Sequence, residues 1–253
     1  MESASEKSAR APQIIICTDV AEVARRAAER FIEIAREGVI AQGRFSVALA
    51  GGSTPKKLYE LLASEEYCER IEWPKAHIFF GDERCVPPDD AESNYRMANE
   101  ALLSRVAVAP QNVHRMNGEG DAAANARLYE DELRAFFNGS SWPRFDLVLL
   151  GMGDDGHTAS LFPGSRALQK TDAWVVANWV EKFQTFRLTL TAPAINHAAH
   201  VLFLVTGVNK AERLREVING MRDVERLPSQ LIQPQDAGGT LEWLIDKEAA
   251  ANL

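Results

Sequence analysis

Four short apolar runs, at residues 45–50, 77–80, 145–150 and 201–205, each break directly into a stretch rich in glycine or charge, and helical patterns lie between them. Unbroken apolar runs suit strands covered on both faces, and their alternation with helices predicts an α/β fold built on a mostly parallel sheet. Such sheets bind ligands beyond the carboxyl ends of their strands. Chemistry is therefore expected in the four loops that follow these runs.

The rest of the chain fits the same plan. A short strand is expected at 14–17, then a helix at 20–37 capped by Asp19 and stopped by Gly38, burying Val23, Ala27, Phe31, Ile34 and Ala35. Further helices are expected at 55–63, from Ser93-Asn94-Tyr95 to 104, at 121–137, in a short piece from Pro193, and to 218 after Gly207. Strands are expected at 174–180, 186–190 and 238–245. No repeat or linker divides the 253 residues, which predicts one domain over 13–253 behind a polar, disordered tail at 1–12. No apolar run approaches the ~20 residues of a membrane helix. A net charge of −8 argues against nucleic acid as the main partner, and three scattered cysteines suit a reducing cytoplasm. The expected partner is a small molecule, and the expected state a monomer or small homo-oligomer.

Gly151-Met152-Gly153-Asp154-Asp155-Gly156 has the spacing of a dinucleotide loop, but its two aspartates would stand where a pyrophosphate should bind. Gly51-Gly52-Ser53-Thr54-Pro55 lacks the lysine of a P-loop, yet offers backbone N–H groups and two hydroxyls at a helix start, which suits a phosphate monoester. In Asp82-Glu83-Arg84, Arg84 can bind an oxyanion, and alternation along a strand lets only one of the two acids face the site with it. Arg187 and Lys210, each next to an apolar strand, are the remaining candidate anion ligands, although either taken singly also reads as a surface charge with its stem on the core. His197 and His200 share a helical spacing without a third metal ligand, so neither metal nor cofactor is expected. His157 is the strongest catalytic candidate, because an imidazole titrating near ~6.5 can take and return a proton at neutral pH. Asp155 is placed to orient it.

Taken in order, these stretches resemble the motifs of the 6-phosphogluconolactonase family. The resemblance runs through Ala50 to Pro55, Gly81 to Arg84 with Ser93-Asn94-Tyr95, Gly151 to Pro163, Arg187 to Thr191 and Asn209-Lys210, nearly the whole chain from Ile14. It implies a Rossmann-like single domain with small additional elements, and hydrolysis of 6-phospho-D-glucono-1,5-lactone without metal or nucleotide. The related glucosamine-6-phosphate deaminases typically carry Asp-Glu-Tyr where this chain has Asp82-Glu83-Arg84, and a glutamate shortly after the histidine, where 161–164 has none. A deaminase or isomerase of that type, or a non-catalytic sugar-phosphate sensor, are the rival expectations. For the lactonase, His157 is expected to act as general base on water, with Asp155 and Arg84 as catalytic partners. Gly51, Gly52, Ser53, Thr54, Asp82, Asn94, Arg187 and Lys210 are expected to bind the phosphorylated sugar.

Overall fold

The computed structural model describes residues 11–253. Most of the expected tail, residues 1–10, lies outside the described residues; Ala11 and Pro12 are exposed and without regular structure. The elements then follow as β1 (Gln13–Cys17), α1 (Val20–Gln42), β2 (Phe45–Leu49), α2 (Ser53–Leu62), β3 (Ala76–Phe80), β4 (Asp82–Arg84), α3 (Asn94–Ala101) and α4 (Ala122–Phe136). After them come β5 (Leu147–Leu150), β6 (Val175–Val180), β7 (Thr185–Leu190), α5 (Ala192–Asn196), β8 (His200–Val205), α6 (Ala211–Asn219) and β9 (Thr240–Asp246), with short 3₁₀ turns between several of them.

Six strands form one sheet in the order β1-β9-β8-β5-β2-β3, every adjacent pair parallel. Three of the four apolar runs, β2, β5 and β8, are inner strands and the fourth, β3, is an edge. Strands β2 and β5 are buried along their whole length, and Phe203 on β8 stacks on Trp243 of β9 at 3.8 Å. The α/β expectation holds. A second, three-stranded antiparallel sheet, β4-β7-β6, stands apart from it. In β4, the charged triplet Asp82-Glu83-Arg84 is an ordered strand hydrogen-bonded to β7.

Three helix boundaries differ from expectation: α3 stops at Ala101, with a 3₁₀ turn at Leu103–Arg105 after it, and the other two have local reasons. Helix α1 runs past Gly38 to Gln42 and ends at Gly43, whose φ of 74° makes it the left-handed cap. Gly38 is a packing residue instead: a Cβ there would lie 3.2 Å from the Arg44 carbonyl and the Asp146 carboxyl carbon. Helix α2 begins at Ser53 with Gly52 (φ 102°) as its N-cap, and no side chain caps it. Thr54 is engaged elsewhere, its hydroxyl 2.7 Å from that of Thr206.

Below the sheet's opposite end, His77 of β3 packs its ring against His114 and Phe136, with Nδ1 3.3 Å from His114 Nε2. Burial, then the nearby His114 and Arg44, pull its pKa down to about 4. A depressed histidine favours folding while it stays neutral. Its contribution is therefore complete above the unfolded value near 6.5 and is lost as pH falls toward 4. Between those limits, stability should fall by on the order of 1 kcal/mol from this residue, since solvent screens a ring that is only partly buried. Urea unfolding of the wild type and of His77→Gln at pH 7, 5.5 and 4 checks it; parallel curves would show that His77 is not the titrating group.

Candidate active site

The loops that leave β2, β5 and β8 meet β4 and β7 around a cavity of about 280 Å³. Its lining includes Gly51 and Gly52 after β2, Asp82 and Arg84 on β4, Asn94 at the start of α3, and Gly151 to Gly153 after β5. His157, Ala159, Ser160 and Phe162 follow on the same loop, with Arg187 on β7 and Lys210 after β8. Eight of the eleven expected site residues line this wall, and Ser53, Thr54 and Asp155 do not. Ser53 and Thr54 are not in the lining, because the helix start is presented to the cavity by Gly51 and Gly52 while Thr54 bonds Thr206. Asp155 stands behind His157 rather than in the lining.

The loop after β5 folds tightly on itself. Gly153 N–H donates to the His157 carbonyl at 2.8 Å, and Thr158 Oγ1 donates to the Gly151 carbonyl at 2.8 Å. A Cβ on Gly153 would fall 2.0 Å from His157 Nδ1, so only glycine leaves room for the ring. Gly156, at φ 84°, makes the turn that brings Asp155 and His157 side by side. Asp155 Oδ1 lies 2.5 Å from His157 Nδ1 and also accepts from the His157 backbone N–H at 3.2 Å. Burial pushes the Asp155 carboxyl up, but the hydrogen bonds and charge of His157, helped by Lys182, outweigh it and hold the group well below the usual carboxylate range. An ionised carboxylate only accepts, which puts the proton on Nδ1 and leaves Nε2 as the basic nitrogen. Phe162 stacks on the imidazole at 4.1 Å and fixes its plane.

Alternation along β4 sorts the two acids. Asp82 faces the cavity with Arg84, accepting from Ser160 Oγ at 2.6 Å and Asn94 Nδ2 at 3.2 Å. Glu83 points the other way and accepts from the backbone N–H groups of Arg84, Asn94 and Tyr95, each at 2.7 Å, which anchors the start of α3. Burial raises the Glu83 carboxyl above its ordinary range even against those three donors. Asn94 in turn occupies the space beside Gly51, where a Cβ would lie 1.9 Å from Asn94 Oδ1.

Arg84 and Arg187 stand directly opposite each other in the β4/β7 register. Like charges so placed repel. Arg84 donates to the Glu92 carbonyl, whereas Arg187, 7% exposed, has Nη1 without a hydrogen-bond partner among the described residues and Glu92 only at 3.9 Å. Burial and then Arg84 lower the Arg187 pKa. A buried, unsatisfied guanidinium beside a second one has donors free to meet an anion. His197 and His200 take no part: His197 stacks on Trp142 and bonds the Pro193 carbonyl, and His200 bonds Thr240. Sequence reading missed Ser160, Phe162 and Lys182, whose Nζ lies 3.5 Å from both Asp154 and Asp155. Only the adjacency of Ser160 and Phe162 to His157 offered a signal for the first two, and none existed for Lys182.

Among the described residues no helix is long and apolar enough to cross a membrane. The family described as glucosamine-6-phosphate isomerases/6-phosphogluconolactonase matches residues 18–243. The 6-phosphogluconolactonase of Nostoc sp. is 45% identical over 215 residues, covering 84% of this chain and 86% of that protein. The 6-phosphogluconolactonase of Synechocystis sp. is 43% identical over 220 residues, covering 86% and 88%. Among solved structures, 6-phosphogluconolactonase from Trypanosoma cruzi superposes with a TM-score of 0.84 at 35% identity, over 96% of this chain and 97% of that one. The family match over residues 18–243, with relatives 43–45% identical over most of both chains, shows that the chain belongs to the glucosamine-6-phosphate isomerase/6-phosphogluconolactonase family.

Proposed function

We propose that the chain hydrolyses 6-phospho-D-glucono-1,5-lactone to 6-phospho-D-gluconate, the second step of the oxidative pentose phosphate pathway. The observation that carries this reading is the unsatisfied Arg187 guanidinium sharing one cavity with the Asp155–His157 pair. Within one cavity, the guanidinium is suited to an anion and the imidazole to a proton.

In the proposed mechanism, water attacks the lactone C1 while His157 Nε2 accepts its proton. Asp155 stabilises the imidazolium across the 2.5 Å contact. Negative charge growing on the carbonyl oxygen is met by Arg84, a contribution of a few kcal/mol in a preorganised site. When the tetrahedral intermediate collapses, the C1–ring oxygen bond breaks and His157 returns the proton to the departing oxygen. Arg187 and Lys210, with the backbone of Gly51 and Gly52 at the α2 N-terminus, hold the phosphate and so fix the reacting carbon. Asp82 and Asn94 accept and donate hydrogen bonds to sugar hydroxyls. The substrate is small, and the three free cysteines suit the cytoplasm as its compartment.

The test is a lactone-opening assay corrected for spontaneous hydrolysis, run beside an ammonia-release assay on glucosamine 6-phosphate. Enzyme-dependent opening without ammonia release is expected. Ammonia release would instead make the chain a deaminase, and binding of 6-phosphogluconate with no faster opening would make it a sensor.

A further inference from the structure

Among the described residues, two buried side-chain atoms lack a hydrogen-bond partner, Asn178 Oδ1 and Arg187 Nη1. Asn178 on β6 stands directly opposite Arg187 on β7, so both side chains leave the same face of the small sheet. One orphan is an acceptor and the other a donor. The orientation of the amide is settled by its other contacts: its nitrogen donates to the Ser160 carbonyl at 2.9 Å and to Ser165 Oγ at 3.0 Å. A carbonyl only accepts, so the amide cannot be turned over without losing that bond. Ser160 lies three residues after His157 and also donates to Asp82, so Asn178 holds the segment that carries the base. Buried polar atoms are nearly always satisfied, and two complementary exceptions at one register position call for a functional cause.

We propose that Asn178 is a positioning residue that couples the anion subsite to the loop carrying His157. With phosphate bound, the Arg187 guanidinium gives some of its N–H groups to the anion and Nη1 to Asn178 Oδ1. The amide, held at both ends, then fixes Ser160 and Ser165. The proposal rests on the assignment of Arg187 to phosphate. Its consequence is that phosphate binding orders the base loop, so energy from a remote group is spent at the reacting carbon and not only on affinity.

The experiment uses inorganic phosphate as the probe and hydrogen exchange of the amides at 157–165 as the readout. Wild type, Asn178→Asp and Asn178→Leu are compared at phosphate concentrations that calorimetry shows to be saturating for each. In the wild type, phosphate should slow exchange at 157–165 about fivefold or more, the lower end of ordinary coupling between sites. Both variants should bind phosphate yet lose that protection, since neither retains the donor to Ser160. Asn178→Asp, close in shape to the native residue, carries the test should Asn178→Leu not fold. Equal protection in wild type and a folded variant, or none in saturated wild type, overturns the proposal. Because exchange is read without turnover, failure to open the lactone would sink the proposed activity and leave this result standing. A kinetic arm adds a second readout: Asn178→Asp should lower kcat on the phosphorylated lactone more than on the unphosphorylated one.

Discussion

Replacing His157 by glutamine is expected to slow lactone opening about 10²–10⁴-fold at neutral pH, the ordinary range for loss of a general base. The loss should fall on kcat, with KM little changed, because the imidazole contacts Asp155 and Phe162 and belongs to none of the cationic groups assigned to phosphate. Glutamine keeps a polar side chain on the loop but cannot take a proton. Wild-type turnover in this variant, after correction for spontaneous opening, would remove His157 from the chemical step. The pH profile gives a second check. Asp155 is held well below the usual carboxylate range, so it stays ionised across any practical assay, and the acid limb of activity should not be its titration. The sign for stability follows from the same shift. A carboxylate depressed in the folded state stabilises it above its unfolded value near ~3.9, and that contribution is lost as pH falls below it.

The parts of this molecule that sequence made legible are those dictated by local chemistry. The parallel sheet could be read because β2, β3, β5 and β8 are buried by continuous apolar runs, each ending in residues no core would accept. The Asp155-Gly156-His157 unit was legible for the same reason: its geometry is made within three residues by one glycine turn. What sequence hid depends on partners far along the chain. Strand β4 exists because Asp82, Glu83 and Arg84 pair with Thr189, Leu188 and Arg187 more than a hundred residues later. That pairing decides that Asp82 faces the cavity and Glu83 the α3 backbone, and it sets two arginines against each other. Ser160, Asn178 and Lys182 gain meaning only from such contacts. Gly38 shows the opposite error, since a glycine late in a helix reads as a stop until the carbonyl packed closely against it is seen.

Arg187→Met should weaken the enzyme toward its phosphorylated substrate and strengthen the empty protein. A charge-assisted hydrogen bond to an anion is worth about 1.5–3 kcal/mol, so its loss should raise KM for the phosphorylated lactone roughly 10- to 100-fold. KM for the unphosphorylated lactone should hardly move. In the empty protein the balance reverses. Arg187 is buried, has an unpartnered nitrogen and faces Arg84 across the strand pair, and both burial and that neighbour disfavour its charge. Methionine fills similar space without the desolvated cation, and replacements of this kind commonly stabilise by about 1 kcal/mol or more. Thermal unfolding separates the two effects. Added phosphate should raise the Tm of the wild type, as any ligand of the native state does, and should leave that of the variant nearly unchanged. Without phosphate the variant should melt higher. An unchanged KM together with an undiminished phosphate-dependent rise in Tm would place the anion elsewhere. A variant that melts lower when empty would mean that the Arg84–Arg187 opposition is relieved within the protein itself, and the cavity would no longer be under electrostatic tension awaiting its ligand.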